Sequence, residues 1–248
     1  MKVKKIQLDG ALKYLTLCFY GQSGAGKSLI AGGWPQRPTL LLACDPGPFG
    51  GAQTLVQLPE EARPDIVVLR SWSDFLEVER EIRTAVEKGE YRTIVVDSLT
   101  HLQAYIAQDM LRGTPREALR IDDYRLLQAR TRRLIQTLAD LPSTTIFTAL
   151  ESYEKDELTG QMTRVPDLVG QLGRALPQYC DIVARFVPSS GYDSKGQRLT
   201  KYKAYVDGDE TFVAKDRTGR LPKVIDLTGP SWDGFTPILG EGEEKDGN

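Results

Sequence analysis

Residues 14–28 read YLTLCFYGQSGAGKS. Tyr14–Tyr20 is a nearly unbroken apolar run, as a strand buried on both faces requires. The next eight residues, Gly21 to Ser28, match G-x-x-x-x-G-K-[ST] in full, and Lys27–Gly33 can open a helix. A strand, a glycine loop and a helix in that order form a phosphate-binding loop. Gly21, Gly24 and Gly26 let the backbone turn tightly, with Gln22, Ser23 and Ala25 between them, so that N–H groups as far as Leu29 converge on an anion. The positive end of the helix faces the same place. Lys27 supplies a point charge to the outer phosphates, and the Ser28 hydroxyl is placed to ligate magnesium. The stretch predicts a nucleoside triphosphate with Mg2+.

Outward from the loop, apolar strands and amphipathic helices alternate. Strands are expected at Tyr14–Tyr20, Thr39–Cys44, Ile66–Leu69, Thr93–Val96 and Thr144–Ala149, with helices at Lys27–Gly33, Ser73–Lys88, Ser98–Leu111 and Asp122–Leu141. Ser73 is the expected cap of its helix, with Asp74 and Glu77 in the first turn. After Val165 the pattern shortens to Asp181–Val187, Tyr202–Val206, Phe212–Ala214 and Lys223–Asp226, read as an antiparallel extension. The expected fold is α/β, a mainly parallel central sheet flanked by helices. Residues 1–239 read as one core and 240–248, GEGEEKDGN, as an acidic disordered tail.

Composition narrows the chemistry. The 248 residues are 40% hydrophobic and 27% charged, with a net charge of −2, which excludes a disordered chain and any global attraction to nucleic acid. No apolar run reaches the length of a membrane span, and Asp9 and Lys13 interrupt the start as a signal peptide would not allow. The chain is therefore expected to be soluble and intracellular. Cys18, Cys44 and Cys180 are scattered, and His101 is the single histidine, so neither a disulfide framework, a zinc site nor a serine–histidine triad is expected. His101, three residues after Ser98, falls in the first turn of a helix and receives no chemistry. Trp34, Trp72 and Trp232 read as packing.

TIVVDS, residues 93–98, supplies the second half of a phosphate site: Asp97 ends a buried strand where it can support magnesium. The competing reading of Asp97 is a helix cap. An N-K-x-D base reader is absent, which favours ATP over GTP. The position after Asp97, often a water-polarising glutamate, is Ser98. Asp45, at the end of LLLACDPG, and Glu151, at the end of TIFTALE, are the alternative carboxylates.

These segments together resemble the phage-encoded RecA-like ATPases of the Sak type, which act in single-strand annealing and recombination. The matching pieces are GQSGAGKS, SWSDF, TIVVDSLTHLQ, RTRRLIQTLADLP with TIFTALE, DELTG and FVAKDRTGRLP, in order from about Tyr14 to Asp226. The resemblance implies a minimal RecA-like core that assembles as a homo-oligomer, ring or filament, with ATP between subunits. It implies that Lys215 and Arg217 of AKDRTG reach into the neighbour's site and stabilise charge on the transferred phosphoryl group. The bland reading of that pair is a solvated turn. The sequence departs from the family at Asp45-Pro46-Gly47, where a glutamate is usual; Asp45 has a shorter reach, so hydrolysis is expected to be slow.

The same resemblance places single-stranded DNA on loops at Gln108–Asp122 and Glu151–Gly170. The first holds Arg112, Arg116 and Arg120; the second holds Tyr153, Lys155 and Arg164 and reads as a hairpin turning at Thr159-Gly160. From Arg112 to Arg133 seven arginines face Glu117, Asp122 and Asp123, a local charge of +4. In the helix that follows, Tyr124, Leu127, Thr131, Leu134, Leu138 and Leu141 form a core seam, leaving Arg125, Arg132 and Arg133 on the other face. The resemblance implies a DNA-dependent ATPase in the cytoplasm of an infected bacterium, with a single-strand-binding protein as a further partner. A small-molecule kinase that uses the arginine loop as a lid, and a nucleotide-gated scaffold without turnover, are the alternatives.

Overall fold

The continuous apolar runs of the first half become the centre of one sheet. The computed structural model describes residues 13–192, 198–227 and 231–239. The strands are β1 (Thr16–Gly21), β2 (Thr39–Ala43), β3 (Asp65–Val68), β4 (Thr93–Asp97) and β5 (Thr144–Ala149), then β6 (Glu151–Lys155), β7 (Met162–Pro166), β8 (Ile182–Tyr192), β9 (Arg198–Tyr205), β10 (Lys215–Asp216) and β11 (Val224–Asp226). The helices are α1 (Lys27–Gly32), α2 (Trp72–Glu87), α3 (Leu99–Leu111), α4 (Ile121–Ala139) and the short α5 (Leu172–Ala175). The main sheet runs β11-β9-β8-β1-β5-β4-β2-β3, with β10 also on β8. From β8 to β3 every pairing is parallel; β9, β10 and β11 add antiparallel pairings. The fold is a mixed α/β sheet of the phosphate-loop NTPase kind.

The two-residue alternation of each strand feeds two cores. Cys18, Tyr20, Leu42, Ile94, Val96 and Phe147 face the side covered by α2, α3 and α4. Leu17, Phe19, Leu41, Val95 and Ile146 face the other, with Trp34 and Phe235. β1, β2, β4 and β5 are buried on every residue, which is why they read as runs, whereas β3 at the edge is partly exposed. α2 and α4 bury only one stripe each, centred on Phe75, Ile82 and Val86 and on Leu127, Thr131, Leu134, Ile135 and Leu138.

Several expectations are corrected. The segment after Asp181 is parallel to β1, Leu17 opposite Ile182, so the antiparallel part begins one strand later than expected. Phe212–Ala214 is not a strand: Phe212 makes only isolated bridges to Arg164 and Asp209, and the pairing passes to Lys215 and Asp216. The cap of α2 is Ser71, not Ser73. Its hydroxyl accepts from the Asp74 N–H at 3.2 Å while Asp74 Oδ2 accepts from the Ser71 N–H at 3.1 Å, a closed capping box. Tyr124 leaves the α4 seam and is 50% exposed, because the helix begins before it packs. Residues 240–248, expected to form an acidic tail, lie outside the described residues. All three cysteines are buried and free, as expected of small hydrophobes.

Candidate active site

Parallel strands end together, and the carboxyl edge of β1, β5, β4 and β2 gathers the chemistry. At the end of β1 the loop turns through left-handed glycines, Gly24 at φ 76° and Gly26 at φ 87°, conformations a side chain resists. A Cβ on Gly21 would stand 2.2 Å from the Phe186 carbonyl oxygen, so only glycine fits there. Lys27 opens α1 at 7% exposure, and its Nζ donates to the carbonyls of Gly21 at 2.9 Å and Gln22 at 2.8 Å. Burial lowers its pKa, opposed by Asp97 and then Asp45. It is a largely desolvated cation folded over its own loop, the state an incoming anion relieves.

Asp97 ends β4 at 2% exposure. Its Oδ1 accepts from Ser28 Oγ at 3.0 Å and from Thr148 Oγ1 at 2.5 Å. Burial raises its pKa, and the hydroxyl of Thr148 works against that. The cap of α3 is Ser98, so Asp97 is not spent on the helix. A buried carboxylate beside a serine hydroxyl is a hard-oxygen pair that fits Mg2+. Among the described residues no group of three or more His, Cys, Asp or Glu could hold a metal by itself. Asp97 and Ser28 would therefore hold magnesium only with phosphate and water completing the shell, the habit of that ion.

The two alternative carboxylates flank Asp97 and differ in freedom. Glu151 has a side chain only 2% exposed; its Oε2 accepts from Arg185 Nε at 2.6 Å and its Oε1 from Arg185 Nη2 at 3.4 Å, with Arg164 3.7 Å away. Asp45 is 36% exposed in its side chain; its Oδ1 accepts from Ser98 Oγ at 2.9 Å and lies 2.8 Å from His101 Nδ1. Lys215 and Arg217 are elsewhere. Asp216 stands opposite Ile182, which stands opposite Leu17, so the pair occupies the edge where β1 begins. Four residues at about 3.3 Å each separate Leu17 from Gly21, roughly 13 Å along the strand. Arg217 Nη1 pairs with Asp181 at 2.7 Å, and Lys215 Nζ donates to the Pro177 carbonyl at 2.6 Å. Neither residue reaches the phosphate loop of its own chain.

The basic residues divide. Arg112, Arg120, Arg125, Arg133 and Lys155 are exposed. Arg116 is tied to Asp123, Arg132 lies over the Tyr179 ring at 6.0 Å, and Arg164 lies over the Tyr153 ring at 5.2 Å beside Glu151. β6 and β7 form the expected hairpin, with Gly160 at φ 73° in its turn and Leu158 98% exposed nearby. Trp34 is 1% exposed, Trp72 stacks on Phe75 at 5.0 Å, and Trp232 Nε1 donates to the Ile30 carbonyl at 2.9 Å; each packs.

Two residues of the edge escape the sequence analysis, and a third, His101, is placed in the first turn of its helix but given no role. Thr148 sits one residue before the end of β5, one of three threonines in that strand. Arg185 meets Glu151 across 34 positions of chain, and His101 meets Asp45 across an inter-strand gap; no local pattern announces either.

The family described as an AAA domain matches residues 13–218. No curated protein matches the chain. Solved structures resembling it include an ATPase from the type III secretion system of pathogenic bacteria, at 17% identity and a TM-score of 0.49, over 70% of this chain and 51% of that one. The chain thus spans about half the length of that ATPase chain. No helix among the described residues is long and apolar enough to cross a membrane.

Proposed function

The chain belongs to the AAA domain family of P-loop ATPases, and on that premise we propose a magnesium-dependent ATPase that works as a homo-oligomer on single-stranded DNA, in the manner of the Sak-type annealing proteins. Residues 1–239 are the ATPase core, with 240–248 as an acidic extension that competes for its basic surface. Gly21–Leu29 cradle the triphosphate, Lys27 meets its outer phosphates, and Ser28 with Asp97 holds Mg2+, which neutralises phosphate charge when bound. Asp45 orients the attacking water. Glu151, committed to Arg185 and Arg164, reports the state of the phosphates to the β6–β7 hairpin.

One observation carries the oligomer: the phosphate loop and the Lys215–Arg217 pair sit at opposite ends of β1. That placement keeps the pair from its own loop and supports its serving the site of an adjoining copy. DNA meets the exposed Arg112, Arg120, Arg125, Arg133 and Lys155, while Arg116, Arg132 and Arg164 shape that surface. Such a protein belongs in the cytoplasm of an infected bacterium, beside a single-strand-binding protein.

Phosphate release with and without single-stranded DNA is the test. Stimulation by DNA is expected; release that needs a small-molecule acceptor and ignores DNA would instead identify a kinase, and ATP binding without release a nucleotide-gated scaffold. Lys27→Ala should abolish turnover. Mixing Lys27→Ala with Arg217→Ala protein should restore part of it, since one mixed interface then carries both intact halves; no recovery removes the shared site.

A further inference from the structure

We propose that His101 is the positioning residue for Asp45, holding that carboxylate for the attacking water. The inference rests on the hydrolytic reading above. Asp45, Ser98 and His101 close a triangle: Ser98 Oγ and His101 Nδ1 both meet Asp45 Oδ1, at 2.9 and 2.8 Å, and lie 2.9 Å from each other. A carboxylate oxygen only accepts, so the serine hydrogen goes to Oδ1; a proton assigned to Nδ1 makes its short approach to Oδ1 attractive and lets it also face Ser98 Oγ. Both contacts fall on the same oxygen. Oδ2 accepts no hydrogen bond among the described residues, which leaves it for water.

The backbone keeps that side open. Gly51, at φ 84°, lies beside the carboxylate, and a Cβ there would stand 3.2 Å from Oδ2 and 2.9 Å from the Asp45 Cβ. The triangle is not a nucleophilic triad, because serine and aspartate share one ring nitrogen and Nε2 has no serine to deprotonate. Its chemistry is orientation. An aspartate is one methylene shorter than glutamate and here is partly exposed, so its free rotation would scatter the one oxygen that faces water. The Ser98 hydrogen bond and the close His101 contact, both on Oδ1, restrain that rotation, and misplacement of a reacting group by about 1 Å can cost on the order of a hundredfold in rate.

The experiment measures kcat, KM and ATP affinity for His101→Ala, His101→Asn and His101→Gln, with melting temperature as the check on folding. His101→Ala should lower kcat by about 10- to 100-fold with KM and ATP affinity unchanged. His101→Asn places an amide N–H where Nδ1 was and should recover most of the rate; His101→Gln places it one bond farther out and should not. In an Asp45→Asn background, His101→Ala should add little, since it acts through that carboxylate. Normal turnover in His101→Ala, equal losses in the alanine and asparagine variants, or losses that add to Asp45→Asn would each overturn the inference alone. Wild-type protein that binds ATP and releases no phosphate would overturn the hydrolytic reading and this inference with it.

Discussion

Asp97 is buried before it has a metal to neutralise. Its carboxyl is held above the usual range by burial, so the folded protein binds a proton there more tightly than the unfolded chain does. The sign follows: the folded state loses stability as pH rises from the ordinary aspartate value through the raised one, and magnesium with nucleotide restores it. Asp97→Asn should therefore raise the melting temperature of the nucleotide-free protein by a few degrees, about 2–4 °C per kcal/mol at this size, while removing magnesium-dependent turnover. A melting temperature that falls instead would mean that Ser28 and Thr148 need the charge. Asp97 was readable in advance because an acid closing TIVVD has little other use. Its hydroxyl partner from β5 was not read, since Thr148 looks like any β-branched strand residue.

At the scale of elements, α2 shows how a cap is won. Ser71 and Ser73 are equally good caps by type, but only Ser71 stands three residues before Asp74 and closes the box. The Ser71 hydroxyl is also the largest influence holding the Asp74 carboxyl below its usual range. That contribution is present above the unfolded aspartate value and is lost as pH falls through the depressed one. Ser71→Ala should cost about 1 kcal/mol, seen as a lower urea midpoint at neutral pH, with Asp74 titrating closer to an ordinary aspartate by NMR. The arginines of α4 and of the loop before it divide by what they touch. Arg112→Ala and Arg125→Ala should each reduce the salt slope of single-strand binding by about 0.7, whereas Arg132→Ala, which uncovers Tyr179, should change stability and leave the slope alone. Equal slopes for all three would dismiss the exposed face as the contact. Of the late strands, the first half of β9 and the short β10 escaped reading, for a reason of their own. The opening of β9, RLTK, is mostly polar and β10 is two residues long, so neither produces the apolar run that betrayed the inner strands.

For the whole molecule, the sheet separates two apolar cores, and the second is closed by the end of the described chain. Phe235 is fully buried against Phe19 at 5.7 Å and Trp34 at 5.3 Å, directly beneath the strand that leads into the phosphate loop. Phe235→Ala should cost about 3–5 kcal/mol and weaken nucleotide affinity through the loosened strand; denaturant unfolding and ATP titration on one sample measure both. The opposed placement of the loop and the Lys215–Arg217 pair has a further consequence for any assembly. An open row of such molecules always leaves one terminal compartment unfinished, whereas a closed circle leaves none. If sites are shared as proposed, an open row of n copies completes n−1 of them, so output per molecule would rise with protein concentration and fall on dilution.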